Sequence, residues 1–320
     1  VTDAVDEATG VPMYSLYGAR RRPTEESMKD IDVLVIDIQD IGCRSYTYIS
    51  TMGYCMEAAA EYGKEFVVLD RPNPLTGNIV EGATVKEGFY SGVSAYKIPY
   101  VHGLTIGELA MVYDEEGLLK DGVKCDLTVV PMKGWKRRMS FEETGLSWVP
   151  SSPHIPEGST PSYYVATGIL GELYVMNIGI GYTTPFKTYA AEWMDANKVA
   201  EEMNNLGLEG VIFRPVYYRP FYGADEGKNV QGVQVHITDF RKTELMYLQF
   251  RFMEVHHKLY PEHDLFDKAP HRWRMFDIVC GTDEIRTKFR ENYSFEDIKP
   301  IFEHDVEEFR EMSKKYYLYK

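Results

Sequence analysis

Two short apolar runs, each closed by acid, constrain this chain more than any other feature. Residues 32–38 read Asp-Val-Leu-Val-Ile-Asp-Ile and residues 65–70 read Glu-Phe-Val-Val-Leu-Asp. Runs of that length, rich in β-branched residues, suit strands buried on both faces of a parallel sheet. Between them, residues 47–62 place Met52, Cys55, Met56 and Ala59 on one helical stripe, and Gly63 supplies a stop. The pattern is a βα unit followed by a second strand. In open sheets of this kind ligands bind outside the carboxyl ends of the strands. Asp37, Asp40, Asp70, Arg71 and Asn73 sit at or just past those ends, so they are expected to face one site.

Further along, Thr105 and Glu108 have capping-box spacing at the start of a helix predicted over 105–119, and residues 125–132 form a third strand. Four prolines between Trp148 and Pro161 mark a crossover, which places a lobe boundary at residue 150. Beyond it we expect helices over 195–205, 243–259 and 295–316 and strands over 210–218 and 232–238. The expected fold class is α/β, with an N-terminal lobe over 1–150 and a C-terminal lobe over 151–320. A chain of 320 residues is longer than the usual single domain, which fits that division.

A formal charge of −14 works against phosphate backbones and anionic membranes, and the basic clusters Arg20–Arg22 and Lys136–Arg138 are too short to reverse it. Nucleic acid is not an expected partner, and no apolar run is long enough to span a membrane. The four cysteines lack Cys-x-x-Cys spacing and neighbouring histidines, so no metal site is expected and the thiols are read as buried and inert. No Gly-x-Gly-x-x-Gly, phosphate-binding loop or Gly-x-Ser-x-Gly occurs, so neither a dinucleotide fingerprint nor a nucleophile elbow is present. Tyrosine, of which there are 24, offers the flat face and hydroxyl that sugars reward, although core packing uses it equally.

Glycosidic hydrolysis needs two carboxyl groups across the scissile bond. Asp37, Asp40, Asp70 and Glu81 are the candidates, and the competing reading of each is a helix cap or a loop tie. Arg44 has two equal readings, as a clamp on a ligand carboxylate or as an ion pair with Asp40. His102 stands at a helix start, where the dipole favours the neutral ring, and His236 on a strand faces either ligand or core. His154 is the weakest of the three histidine candidates. Gly179 and Gly181 punctuate a loop that brings amides near a ligand or makes an ordinary tight turn.

Together these segments resemble the exo-β-N-acetylmuramidase family, glycoside hydrolase family 171, over essentially the whole chain. The likeness rests on Pro12–Gly18, Arg22–Glu25, Asp37–Gly42 with Arg44, Tyr46 and Tyr48, Asp70–Pro74, Val80–Gly82, His102–Leu109, Pro131–Lys136, Ser152–Pro153, Gly232–His236 and Tyr317–Tyr319. It implies a Rossmann-like N-terminal lobe, a smaller α/β C-terminal lobe and a cleft between them. It further implies no metal or organic cofactor, export to the periplasm or cell envelope, and peptidoglycan-derived saccharides or muropeptides as partners.

The implied activity is release of N-acetylmuramic acid from non-reducing ends. The rival expectation is a non-catalytic muropeptide-binding protein. On this resemblance Arg44 or Arg71 reads the lactyl carboxylate that separates muramic acid from glucosamine, and Tyr46, Asn73, His102, Glu172 and His236 line the ligand site. Family members open with a strand and Gly-Pro-Glu-His-Gly, whose glutamate is the favoured catalytic acid. This chain begins after that point, so its N-terminal part is expected to have been removed or not included. Where the family often has Glu-Gly-Thr and then Gly-Arg-Gly-Thr, this chain has Glu172-Leu173 and Gly179-Ile-Gly-Tyr-Thr183, with Ile180 at the arginine position, which implies altered selectivity.

Overall fold

The computed structural model describes residues 2–18 and 20–320. A small hairpin pairs β1 (Ala4–Val5) with β2 (Pro12–Met13), and a short helix α1 (Glu25–Met28) follows. Then β3 (Val33–Ile36), α2 (Tyr48–Glu61), β4 (Glu65–Leu69), α3 (Ile106–Glu115) and β5 (Asp126–Val130) build a parallel sheet in the order β3-β4-β5. The βα unit expected from the two acid-closed runs is present. So is the capping box: Thr105 accepts from the Glu108 amide, while Glu108 accepts from the Thr105 amide.

One expectation for this sheet fails. Phe66 and Val68 are fully buried against α2 and α3, but Val33 and Val35 on the edge strand are 39% and 51% exposed. Both helices pack on the same side of the sheet, so among the described residues the outward-pointing residues lack a covering layer. The continuous apolar run does not reveal that asymmetry, because β-branched side chains satisfy the strand on either face.

The rest of the chain comprises α4 (Thr160–Gly171), β6 (Thr188–Ala191), α5 (Ala196–Asn205), β7 (Val211–Tyr218), β8 (Val230–Ile237), α6 (Leu248–Leu259), α7 (Trp273–Cys280), α8 (Glu284–Asn292), α9 (Phe295–Glu303) and α10 (Val306–Ser313). Its sheet is antiparallel, ordered β6-β8-β7, with Arg214 opposite Gln234 and Ile212 opposite His236. Alternation then sends Phe213, Val233 and Val235 to the core with Phe250 and Phe252, and leaves Arg214 and Ile212 exposed.

Three predicted helices are shorter than expected, α3 among them, which ends at Glu115. Residues 243–247 form turns, with Thr243 donating to the Asp239 and Glu209 carbonyls, so α6 starts at Leu248. The span 295–316 breaks after Glu303, where Asp305 accepts from the Thr84 hydroxyl at 2.6 Å and opens α10. Val306 and Phe309 of α10 pack into the cluster formed by α2 and α3. The chain thus returns to its first sheet: Tyr319 donates to Asp70 at 2.5 Å and the Leu318 amide to Glu108 at 2.9 Å.

Candidate functional site

The loops leaving β3 and β4 meet at their carboxyl ends, as the strand arrangement requires. Gln39 ties them, donating through Nε2 to the Asp40 carbonyl at 2.7 Å and to the Pro72 carbonyl at 2.9 Å. A Cβ at Gly42, whose φ is +79°, would lie 2.3 Å from Asn73 Oδ1, so only glycine permits this approach. Between the loops Gln39, Asp40, Arg71, Asn73 and Leu104 enclose a cavity of about 10 Å³, room for one water.

At its mouth Arg71 donates to Asp37 at 2.8 and 2.5 Å. Both side chains are substantially exposed, so the pair contributes at most about 1 kcal/mol to stability and mainly orients its members. Asp40 lies deeper. Its Oδ2 accepts from the Gly42 amide at 2.7 Å, while its Oδ1 is buried with no partner. Burial pushes its pKa up to about 7, against the pull of the Gly42 and Ile41 amides. Glu81 is the second acid of this kind. It accepts from the Met246 amide at 2.9 Å, and burial raises it to about 7. Val101 forms antiparallel bridges to both Cys43 and Glu81, which puts the loop after β3 and Glu81 roughly 10 Å apart.

Four of the expected site residues have polar atoms engaged within the fold. Asp70 accepts from Thr105 Oγ1, Tyr319, and the Gly107 and Arg71 amides. Its carboxylate is spent on the start of α3, which is the capping alternative for a strand-end acid. Arg44 does not pair with Asp40. It is 1% exposed, and its guanidinium donates to the carbonyls of Ala83, Ile98 and Val279 at 2.6–2.7 Å and to Ser94 at 3.3 Å. A fork with five donors suits a junction of three backbone segments, and burial lowers its pKa to about 10.

Asn73 is also buried, holding the Leu75 amide and the Leu104 carbonyl at 2.9 Å each. His102 accepts from the Leu104 amide through Nδ1, leaving Nε2 buried and unpartnered. Its ring is neutral as expected, but for another reason: burial first, then the Arg44 charge, drives its pKa down to about 3.

The remaining residues gather where the two halves meet. Tyr46 donates to Ser151 Oγ at 3.0 Å and Tyr48 to the Ser151 carbonyl, with the two rings edge to face at 4.8 Å. Burial raises Tyr46 to about 12. Tyr164 hydrogen-bonds Ser45 at 3.1 Å and packs on Phe186 at 4.8 Å. His154 pairs with Tyr222, and Glu157 with Lys187 at 2.9 Å. Residues 151–157 therefore run from the first-half tyrosines to the rim of the second sheet. Glu172 accepts from Arg272 at 2.8 Å; burial pushes its carboxyl up while that guanidinium pulls it back.

His236 lies on the outer face of β8 with Nε2 buried and unpartnered, lowered by burial and then by the Arg214 and Lys187 charges. Sequence reasoning missed Gln39, Tyr48, Ser151 and Arg214. Only Gln39 and Tyr48 carried a signal, through their place in the Asp37–Gly42 and Arg44–Tyr48 blocks. Among the described residues no cluster of His, Cys, Asp and Glu has the make-up of a metal site, and no helix is long and apolar enough to cross a membrane.

Residues 1–159 match the N-terminal region, and residues 162–319 the C-terminal region, of the exo-beta-N-acetylmuramidase NamZ family. The chain belongs to that family. It is 41% identical over 315 residues to a peptidoglycan beta-N-acetylmuramidase NamZ of Bacillus subtilis (strain 168), covering 98% of this chain and 74% of that protein. Two crystal structures of DUF1343 family proteins from Bacteroides fragilis NCTC 9343 share the fold. One has a TM-score of 0.97 at 54% identity and the other 0.80 at 29%, each covering 99% of this chain and 82% of its own.

Within the NamZ family's glycine-rich block, both glycines here are sterically required. A Cβ at Gly179 would lie 1.8 Å from the Thr184 carbonyl, and one at Gly181 would lie 2.0 Å from the Tyr222 carbonyl. Ile180 between them is packed against the core, its carbonyl accepting from Asn177 at 2.9 Å. No charge is presented at that position.

Proposed function

We propose that this protein is an exo-acting glycoside hydrolase that releases N-acetylmuramic acid from the non-reducing end of peptidoglycan fragments in the cell envelope. Identity of 41% along nearly the whole chain to a peptidoglycan beta-N-acetylmuramidase carries the reading. The chemistry of the acids supports it. A glycosidase needs one carboxyl that is still protonated near neutral pH to donate to the leaving oxygen. Asp40 and Glu81, both raised to about 7 by burial, meet the protonation part of that requirement. Asp37, held by Arg71 at the mouth, presents an oriented carboxylate, and Asp70 serves the scaffold.

The test is hydrolysis of para-nitrophenyl N-acetyl-β-muramic acid beside its N-acetylglucosamine analogue by the intact protein and its D37N, D40N, D70N and E81Q variants. Release from the muramic substrate alone is expected, with kcat falling about 10²- to 10⁴-fold on loss of the proton donor. Unchanged turnover in all four variants counts against the assignment of the acids. Binding without any release favours a muropeptide-binding protein instead.

A further inference from the structure

Arg71 and Arg44 are committed, to Asp37 and to backbone carbonyls respectively. Neither stands free for the lactyl carboxylate that distinguishes muramic acid, whereas the open face of the second sheet carries a cation that does. Arg71, Arg137, Arg272 and Arg286 are each paired with an acid. Arg214, exposed on β7, has neither an ion pair nor a side-chain hydrogen bond among the described residues. Directly opposite it stands Gln234, whose amide is also unengaged, and one diagonal step away is His236 with its Nε2 buried and unpartnered. Opposed side chains in an antiparallel pair are about 5 Å apart and diagonal ones about 7–8 Å, so the three fall within reach of a single small group.

Three neighbouring polar side chains with unspent hydrogen-bonding capacity, one of them a cation, are complementary to an anion. The segment 151–157 connects this face to Tyr46 through Ser151, and to Lys187 beside it through Glu157.

We propose that Arg214, supported by Gln234 and His236, binds a carboxylate of the muramoyl ligand and so sets the preference for muramic acid over glucosamine. The inference rests on the muramidase reading for the identity of its ligand. A planar guanidinium takes both carboxylate oxygens at once, and Gln234 has an amide N–H to add. Because the contact exists before and during reaction, its loss raises KM more than it lowers kcat.

Calorimetry on the intact protein tests this, with N-acetylmuramic acid, its lactyl methyl ester, N-acetylglucosamine and N-acetylmuramoyl-L-alanyl-D-isoglutamine as probes. The wild type is expected to prefer the free acid to the ester by about 10- to 100-fold. R214Q abolishes that preference, R214K keeps part of it, and N-acetylglucosamine binding is unchanged. In the dipeptide ligand the lactyl carboxyl is an amide, so a loss confined to that probe places the recognised carboxylate on the stem and overturns the assignment of Arg214 to the lactyl group.

The same acid-to-ester ratio in wild type and R214Q, including no preference in either, overturns the proposal. Failure of the muramidase reading is separable: Arg214-dependent binding without hydrolysis of the chromogenic glycoside removes the activity alone, and hydrolysis without Arg214-dependent selectivity removes this inference alone.

Discussion

At the scale of single residues, the acids and arginines divide by what surrounds them. Asp40 has its folded pKa near 7, above its ordinary value of 3.8, so the native state holds a proton that the unfolded chain has released. Stability therefore falls as pH rises from about 4 to 7, and the loss is complete above that range. D40N should stabilise the protein at pH 8 by about 1–3 kcal/mol and flatten the dependence between pH 4 and 7. Urea titrations across that range check it, and parallel curves for both proteins would contradict the assignment. Arg44→Met strands three buried carbonyls, and it should cost about 3 kcal/mol or more without changing acid-to-ester selectivity in the molecules that fold. The sequence placed both residues beside a strand end, yet it could not separate them. Whether a strand-end side chain faces the cleft or the scaffold depends on contacts from residues as distant as Val279.

Among the elements, α3 has the most elaborate N-terminus. Thr105 caps it, Asp70 accepts from Gly107 and Thr105, and Glu108 sits in a buried pair with Arg137 at 2.7 Å. Y319F removes one charge-assisted donor from Asp70 and should cost about 1–2 kcal/mol. Hydrogen exchange should quicken first at the Gly107 amide and in residues 316–320; uniform quickening would point to a global effect. Capping signals are local, so the start of α3 was legible in sequence. Helix α4 and strand β6 were not. Thr160–Gly171 is buried almost all round, and so shows little amphipathic period. Thr188–Ala191 is four buried residues long, without alternation.

For the molecule as a whole, the α/β class followed from the two acid-closed runs, while the layering did not. Apolar strands announce a sheet but not the number of its covered faces. Val33, Val35 and Val130 lie 39%, 51% and 45% exposed on the outer face of two edge strands, and apolar surface left open beside a sheet edge promotes association between molecules. Val35→Lys should lower light scattering of concentrated solutions while changing stability by under about 0.5 kcal/mol. Unaltered scattering would show that this edge is not what associates.

Asp70 and Tyr319, which meet at the start of α3, are 249 residues apart in sequence. At ribosomal rates of about 5–20 residues per second, the partner of Asp70 is synthesised roughly 10–50 s later. During that interval the nascent first sheet holds a buried carboxylate and a buried glutamate that lack their final donors. A chaperone binding between those two moments would meet the chain at its most vulnerable, and residues 318–319 act as the latch.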